Sequence, residues 1–160
     1  MTYDQGDDEE LKQKFWRALA DSPFVFLERK AQPGDAVVMT AKLDKNANSA
    51  IWFFSKRDHH LAQMGPAFCT FASKDHKIFA RFEGTLSEET SRERLEKEWD
   101  RQTAAWYDEG KDDPNLLMLR MDLGGAEIWD SDLGFYDNTK MLLGGDVRKE
   151  AAEHHTETTL

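Results

Sequence analysis

The sequence predicts a mainly β fold, an antiparallel barrel with flanking helices. Short segments of alternating apolar and polar residues recur between tight turns. Helical periodicity is confined to two stretches, one near the start and one after residue 90, so the regular strand–helix alternation of a doubly wound sheet is missing. The 160 residues are enough for one domain with a real core, not two.

Leu11, Phe15 and Leu19 recur at helical spacing, with acids gathered ahead of them where a helix N-terminus favours negative charge. Asp21-Ser22-Pro23 stops that helix. Phe24 to Leu27 is a short apolar strand. Pro33-Gly34-Asp35 turns the chain, and Val37, Met39, Ala41 and Leu43 then alternate as a half-buried strand. Asp44 to Asn48 is turn chemistry. Ala50-Ile51-Trp52-Phe53-Phe54 is apolar at every position, so both of its faces should be covered. Phe68 to Ser73 and Lys77 to Leu86 form a hairpin about Lys74-Asp75-His76. In its second arm Ile78, Ala80, Phe82 and Gly84 share one face, and Phe79, Arg81 and Glu83 the other.

The period then changes. Thr90 with Glu93 three residues later reads as a capping box. Leu95, Trp99 and Trp106 form one stripe of a single amphipathic helix, ended by Gly110 and Pro114. Leu117, Leu119, Met121 and Leu123 alternate, Gly124-Gly125 turns, and Ala126 to Trp129 is the last strand. The domain should span 11–143, between an acidic segment (1–10) and a flexible tail (144–160).

Charge narrows the function. The formal net charge is −10, which argues against a nucleic-acid binder and against an electrostatic membrane anchor. No apolar run reaches bilayer length, and no basic, apolar leader opens the chain. The single cysteine, Cys69, fits a reducing, cytoplasmic setting and reads as a buried structural thiol. The charge is uneven: from Val37 to Phe82 seven bases face three acids, a local +4 that leaves −14 elsewhere. Such a basic middle suits a small anion. Lysines that discourage edge-strand pairing explain the same count.

Phosphate loops, dinucleotide fingerprints and nucleophile elbows are missing. His59-His60 and His154-His155 are adjacent pairs whose side chains diverge, so no metal is expected. The informative segment is Trp52-Phe53-Phe54-Ser55-Lys56-Arg57-Asp58-His59-His60, where an aromatic strand ends in a hydroxyl, two cations and two imidazoles. A ligand with a flat ring and a phosphate needs that combination. A core strand running into an exposed polar turn has it too.

The order of segments resembles the pyridoxamine 5′-phosphate oxidase-like FMN-binding split barrels, above all their bacterial general stress protein branch, over about residues 11–143. The resemblance is carried by Val38-Met39-Thr40-Ala41 and by Ile51-Trp52-Phe53-Phe54-Ser55 with Arg57-Asp58. Gly65-Pro66 and Phe82-Glu83-Gly84-Thr85-Leu86 come next. Trp99, Trp106-Tyr107, Asp112-Asp113-Pro114 and Ala126-Glu127-Ile128-Trp129-Asp130-Ser131 complete it.

The resemblance implies a six-stranded antiparallel split β-barrel of Greek-key type and a homodimer with FMN, or alternatively FAD, at the subunit interface. It places Met39 and Thr40 along the isoalloxazine ring and Phe54, Ser55, Lys56 and Arg57 near the phosphate. His60 lies in the following turn, and Trp129 approaches the ring from the other subunit. Two family cations are replaced: Val37-Val38 stands where Arg-Pro is usual, and Asp58-His59-His60-Leu61 where the turn usually carries a lysine. Two lost charge-assisted contacts cost about 3–6 kcal/mol unless Lys56, Arg57, His60 or Arg81 replaces them.

The function implied is that of a flavin-binding general stress protein, a flavin-dependent oxidoreductase acting on an unidentified small molecule. A non-enzymatic flavin or anionic-ligand carrier and a dimeric barrel without cofactor are the alternatives. Pyridoxamine 5′-phosphate oxidation itself is not expected. Those enzymes grip the substrate phosphate with late basic residues, and Asp130-Ser131-Asp132-Leu133-Gly134-Phe135 offers none.

Overall fold

In the computed structural model, which describes residues 5–43, 49–131 and 155–160, the chain begins with helix α1 (Gln5–Asp21). Its stripe of Leu11, Phe15, Trp16 and Leu19 is buried. The turn at Asp44 to Asn48 lies outside the described residues. Six strands form the barrel: β1 (Phe24–Arg29), β2 (Val37–Thr40), β3 (Ala50–Lys56), β4 (Gly65–Ala72), β5 (Ile78–Glu88) and β6 (Leu116–Asp130). They pair in the order β2-β1-β4-β5-β6-β3, all antiparallel. The path ends on β2 and β3, which meet at one isolated bridge, Lys42 with Trp52. The barrel is therefore split.

Alternation along each strand fills the interior. Val25, Leu27, Ile51, Phe53, Ala67, Cys69, Phe71, Ala80, Phe82, Leu117, Leu119, Met121 and Ile128 form one core, and α1 is packed against it. Phe15 meets Phe71 and Phe82 edge-on at 6.1 and 5.3 Å. Such pairs contribute about 0.5–1.5 kcal/mol each beyond the area they bury. Lys14 adds an ion pair across to buried Asp130, at 2.9 Å. Cys69 is fully buried among these residues, and burial pushes its thiol well above the usual range, so it is inert packing.

Four expectations change. Gly124-Gly125 is not a turn: β6 runs through it as one strand of 15 residues. The β5–β6 register shifts between Phe82 and Gly84, so the glycines sit at a bulge that bends the pair rather than reversing it. The single helix expected over Leu95 to Trp106 is two, α2 (Arg92–Glu98) and α3 (Arg101–Ala104), because Trp99 is extended and Asp100 caps a new start. Ser91, not Thr90, caps α2 by accepting from the Arg94 amide at 3.1 Å. Within the tail expected to be flexible, β7 (His155–Thr159) pairs with β6. Asp8 of α1 accepts hydrogen bonds from the hydroxyls of Thr156 (2.5 Å) and Thr158 (2.9 Å), tying that strand to the first helix. The segment 144–154 lies outside the described residues.

Gly84 tests the bulge. A Cβ there would lie 2.3 Å from the Asp122 carbonyl oxygen, whereas one at Gly124 has its nearest neighbour at 3.8 Å. Gly84→Ala is expected to destabilise the fold by about 2 kcal/mol or more in denaturant unfolding. Gly124→Ala should stay within about 1 kcal/mol of the parent. Equal effects would mean that the close approach does not set the bend.

Candidate functional site

The bridge at Lys42 and Trp52 is where β2 and β3 part. Lys42 and Trp52 exchange two backbone hydrogen bonds, at 2.7 and 3.0 Å. Beyond them the next stretches, Thr40 to Val38 and Phe54 to Lys56, run on unpaired with each other. The gap is a cavity of about 550 Å³ whose strand wall is Val38, Met39, Thr40, Phe54, Ser55 and Lys56. Its size is in the range of small-molecule sites.

The opposite wall comes from α3 and the residues after it: Gln102, Thr103, Trp106 and Tyr107. Five contacts hold this wall in place. The Tyr107 hydroxyl donates to the Ser55 carbonyl at 2.6 Å. Trp99 packs edge-on against Phe54 at 5.7 Å and, tilted by 43°, against Tyr107 at 5.9 Å. Lys42 Nζ meets Asp100 at 2.6 Å, and the Thr103 amide donates to the same carboxylate at 2.7 Å. Burial opposes the charge on Asp100, but the Lys42 ammonium and the Thr103 amide outweigh it and hold the carboxyl at about 2. Burial, then the Asp113 charge, pushes the Tyr107 phenol up to about 12, so it stays a donor.

Five of the residues singled out in the sequence, Met39, Thr40, Phe54, Ser55 and Lys56, line this one cavity. Arg57 does not. Its guanidinium turns to Glu88 at 2.6 Å and lines a separate groove. Lys56 and Arg57 thus line two different openings and do not act as a pair on one ligand. His60 packs on His59 at 4.2 Å between ring centroids, the rings tilted by 32°, and it is His59 that lines the cavity. Burial and then its neighbour His60 lower the His59 pKa, while its Nδ1 accepts from the Leu61 amide. Trp129 stands apart on the outer face of β6, stacked on His155.

Sequence reasoning missed Gln102 and Thr103, and it took Trp106 for a buried helix stripe. A Trp-Tyr dipeptide was the available signal, since after α3 the buried Tyr107 leaves its neighbour Trp106 facing out. A larger opening of about 700 Å³ lies on the outer face between Lys30, Arg81, Glu83, Glu127 and Glu157. Its acids outnumber its bases, and of its two aromatic residues, Phe68 and Phe82, the second is buried, so it is the poorer fit for a flat anion. There β6–β7 pairing sets Glu127, His155 and Glu157 with ligand atoms within 4.8 Å of one another, a proximity the sequence alone does not reveal. Among the described residues no helix is long and apolar enough to cross a membrane.

The Asp100 clamp has a pH signature. The carboxyl titrates at about 2 when folded and near 3.9 when unfolded, so its contribution is complete above about pH 4 and is lost as pH falls towards 2. Asp100→Asn should therefore melt below the parent protein at pH 7, with the gap closing on acidification. A gap independent of pH would show that the carboxylate charge is not what holds α3.

Comparison with known proteins agrees with this geometry. The sequence model of the family described as "Pyridoxamine 5′-phosphate oxidase like" matches residues 9–152. No curated protein matches the chain. Among solved structures, the general stress FMN/FAD binding protein of Xanthomonas citri is 38% identical over 76% of this chain and 89% of its own, with a TM-score of 0.68. A general stress family protein of Xanthomonas campestris pv. campestris is 37% identical over the same shares, with a TM-score of 0.66. General stress protein 26 of Jannaschia sp. CCS1 is 25% identical over 95% of this chain and 99% of its own, with a TM-score of 0.76. This chain belongs to the pyridoxamine 5′-phosphate oxidase-like family of split barrels.

Proposed function

We propose that this protein is a flavin-binding stress protein that works as a homodimer, with one FMN or FAD held in the split between β2 and β3. The observation that carries the reading is the pairing, in one cavity, of an apolar wall (Val38, Met39, Phe54) with a cation and an imidazole at one end (Lys56, His59). A planar ring takes the first and a phosphate the second. The similar protein of Xanthomonas citri is described as FMN/FAD binding, which supports the same ligand class here.

A bound flavin would supply electron and hydride transfer at its ring. The chain's own residues bind and orient. Met39 and Thr40 flank the ring, Lys56 neutralises the phosphate, and Tyr107 holds the Ser55 end of β3 in place through its carbonyl. Three of the wall's acid–base groups already hold structural hydrogen bonds: Asp58 accepts from Asn115, His59 Nδ1 from the Leu61 amide, and Tyr107 donates to the Ser55 carbonyl. This favours an oxidoreductase in which the cofactor does the chemistry on a small substrate. The same observation leaves a flavin carrier as the second reading, and reduction of the bound flavin by NADH or NADPH separates the two.

The outer face supports the dimer. Phe24, Phe26 and Val38 are more than half exposed, and Phe26 is Val38's cross-strand partner at the cavity mouth. Phe79 and Trp129, paired across β5 and β6, extend the apolar surface. Contiguous exposed aromatics of this kind mark an interface, and a second copy would bring Trp129 to its partner's cavity.

Protein purified without added cofactor should be yellow, and stripped protein should rebind FMN at micromolar concentration. Lys56→Ala is expected to weaken FMN by about 10-fold or more, the loss of one charge-assisted contact. Arg57→Ala should change it by less than about threefold, because that guanidinium is engaged by Glu88. Colourless protein that takes up neither flavin would sink the reading. Phe26→Glu should convert the dimer to a monomer in sedimentation and release flavin; a parent protein that sediments as a monomer would remove the dimer.

A further inference from the structure

We infer that Trp106 is an aromatic platform for the adenine ring of a dinucleotide, which makes the cavity a site for FAD and not only for FMN; the inference rests on the flavin reading above. Trp106 lines the cavity and is 71% exposed. Its neighbours differ. Trp99 and Tyr107 are packed on each other, and Trp99 also on Phe54. Among the described residues Trp106 packs on no other ring, although it belongs to the same segment.

The indole is nonetheless held by a fixed backbone. The Trp106 amide donates to the Thr103 carbonyl at 3.1 Å, and the Tyr107 amide donates to that of Ala104 at 3.2 Å. Tyr107 is in turn locked to Ser55. The point from which the indole projects is therefore set before a ring stacks on it.

Its position sets what it meets. Asp100, at the start of α3, meets Lys42 beside the bridge, whereas Tyr107 reaches the Ser55 carbonyl and its ring centre lies 5.9 Å from Lys56 Nζ, so the segment runs from the bridge to the cation end of the cavity and Trp106 is attached at that end. A flavin whose ring lies along Met39 and Thr40 brings its phosphate to that end. FMN stops there. FAD continues through a second phosphate and a ribose to adenine, and its next neighbours on the wall are Trp106 and the Gln102 side chain. An indole face suits any base, and a free amide offers a donor and an acceptor to the base edge.

The test titrates stripped full-length protein with FMN and with FAD, for the parent, Trp106→Ala and Trp106→Phe. The parent is expected to bind FAD at least as tightly as FMN. Trp106→Ala should weaken FAD by about 10-fold, the effect of removing one stacked base, while FMN stays within about twofold. Trp106→Phe, which keeps a ring, should recover most of the FAD affinity. If all three forms bind FMN alike and FAD is insensitive to Trp106, or if both flavins weaken equally, the platform is overturned while the flavin reading stands. A parent that binds neither flavin overturns both.

Discussion

The single bridge between Lys42 and Trp52 is the constraint on which the functional architecture depends. Every other neighbouring pair of strands in the barrel forms a ladder, with ten residue pairs between β5 and β6 and seven between β3 and β6. At β2 and β3 two backbone hydrogen bonds close the ring and then stop. The strands stay close enough to form two walls, yet their facing edges are left to other partners. A full ladder there would fill the cavity with main chain, and no bridge at all would let β2 swing away from Phe54. One bridge gives a slot of fixed width.

What keeps the slot open is built from the sequence that follows β5. The break between α2 and α3 looks like a defect in an amphipathic helix until its contacts are counted. Ending the first helix at Trp99 turns that indole down onto Phe54, and starting the next at Asp100 places a carboxylate on Lys42, the bridge residue itself. An unbroken helix would carry Trp99 and Trp106 along one stripe and could not put Tyr107 on the Ser55 carbonyl. An exposed ion pair contributes little on its own, but here it is coupled to a cap, a buried hydroxyl bond and two aromatic contacts, so the clamp acts as a unit.

The barrel was legible in the sequence because its strands are amphipathic with period two, and burial follows that period: Ile78, Ala80 and Phe82 point in while Phe79, Arg81 and Glu83 point out. The strand wall of the cavity was legible for the same reason, since Met39 to Thr40 and Phe54 to Lys56 are strand ends rich in the right chemistry. The misreadings have other causes. Gly124-Gly125 and the Leu95 to Trp106 stripe were judged by local propensity and decided by distant partners, the β5 strand against which the glycines bulge and the Lys42 ammonium on Asp100, whereas at Thr90 two neighbouring hydroxyls competed for one cap and Ser91 took it. Local patterns report which face is buried. They do not report which of two adjacent residues a distant partner will choose, and Lys56 against Arg57 was a choice of that kind, made by Glu88.

The same geometry explains how a chain of net charge −10 can offer a place to a phosphate. Screening limits an exposed charge to about 8 Å at physiological ionic strength, so the sum over the molecule matters less than the few charges on one wall. Near the cavity the basic strands supply Lys42 and Lys56, while many of the acids lie on α1, α2 and the outer face of β5 to β7. Lys42 is already matched by Asp100, and Asp58 stands on the lining as a local cost. The net attraction therefore falls on Lys56, with His59 adding to it only when protonated, a state that burial and His60 oppose. A site with one firm cation holds an anion by what is attached to it as much as by the charge itself, which is why the apolar wall and the exposed indole weigh more here than they would beside a pair of arginines.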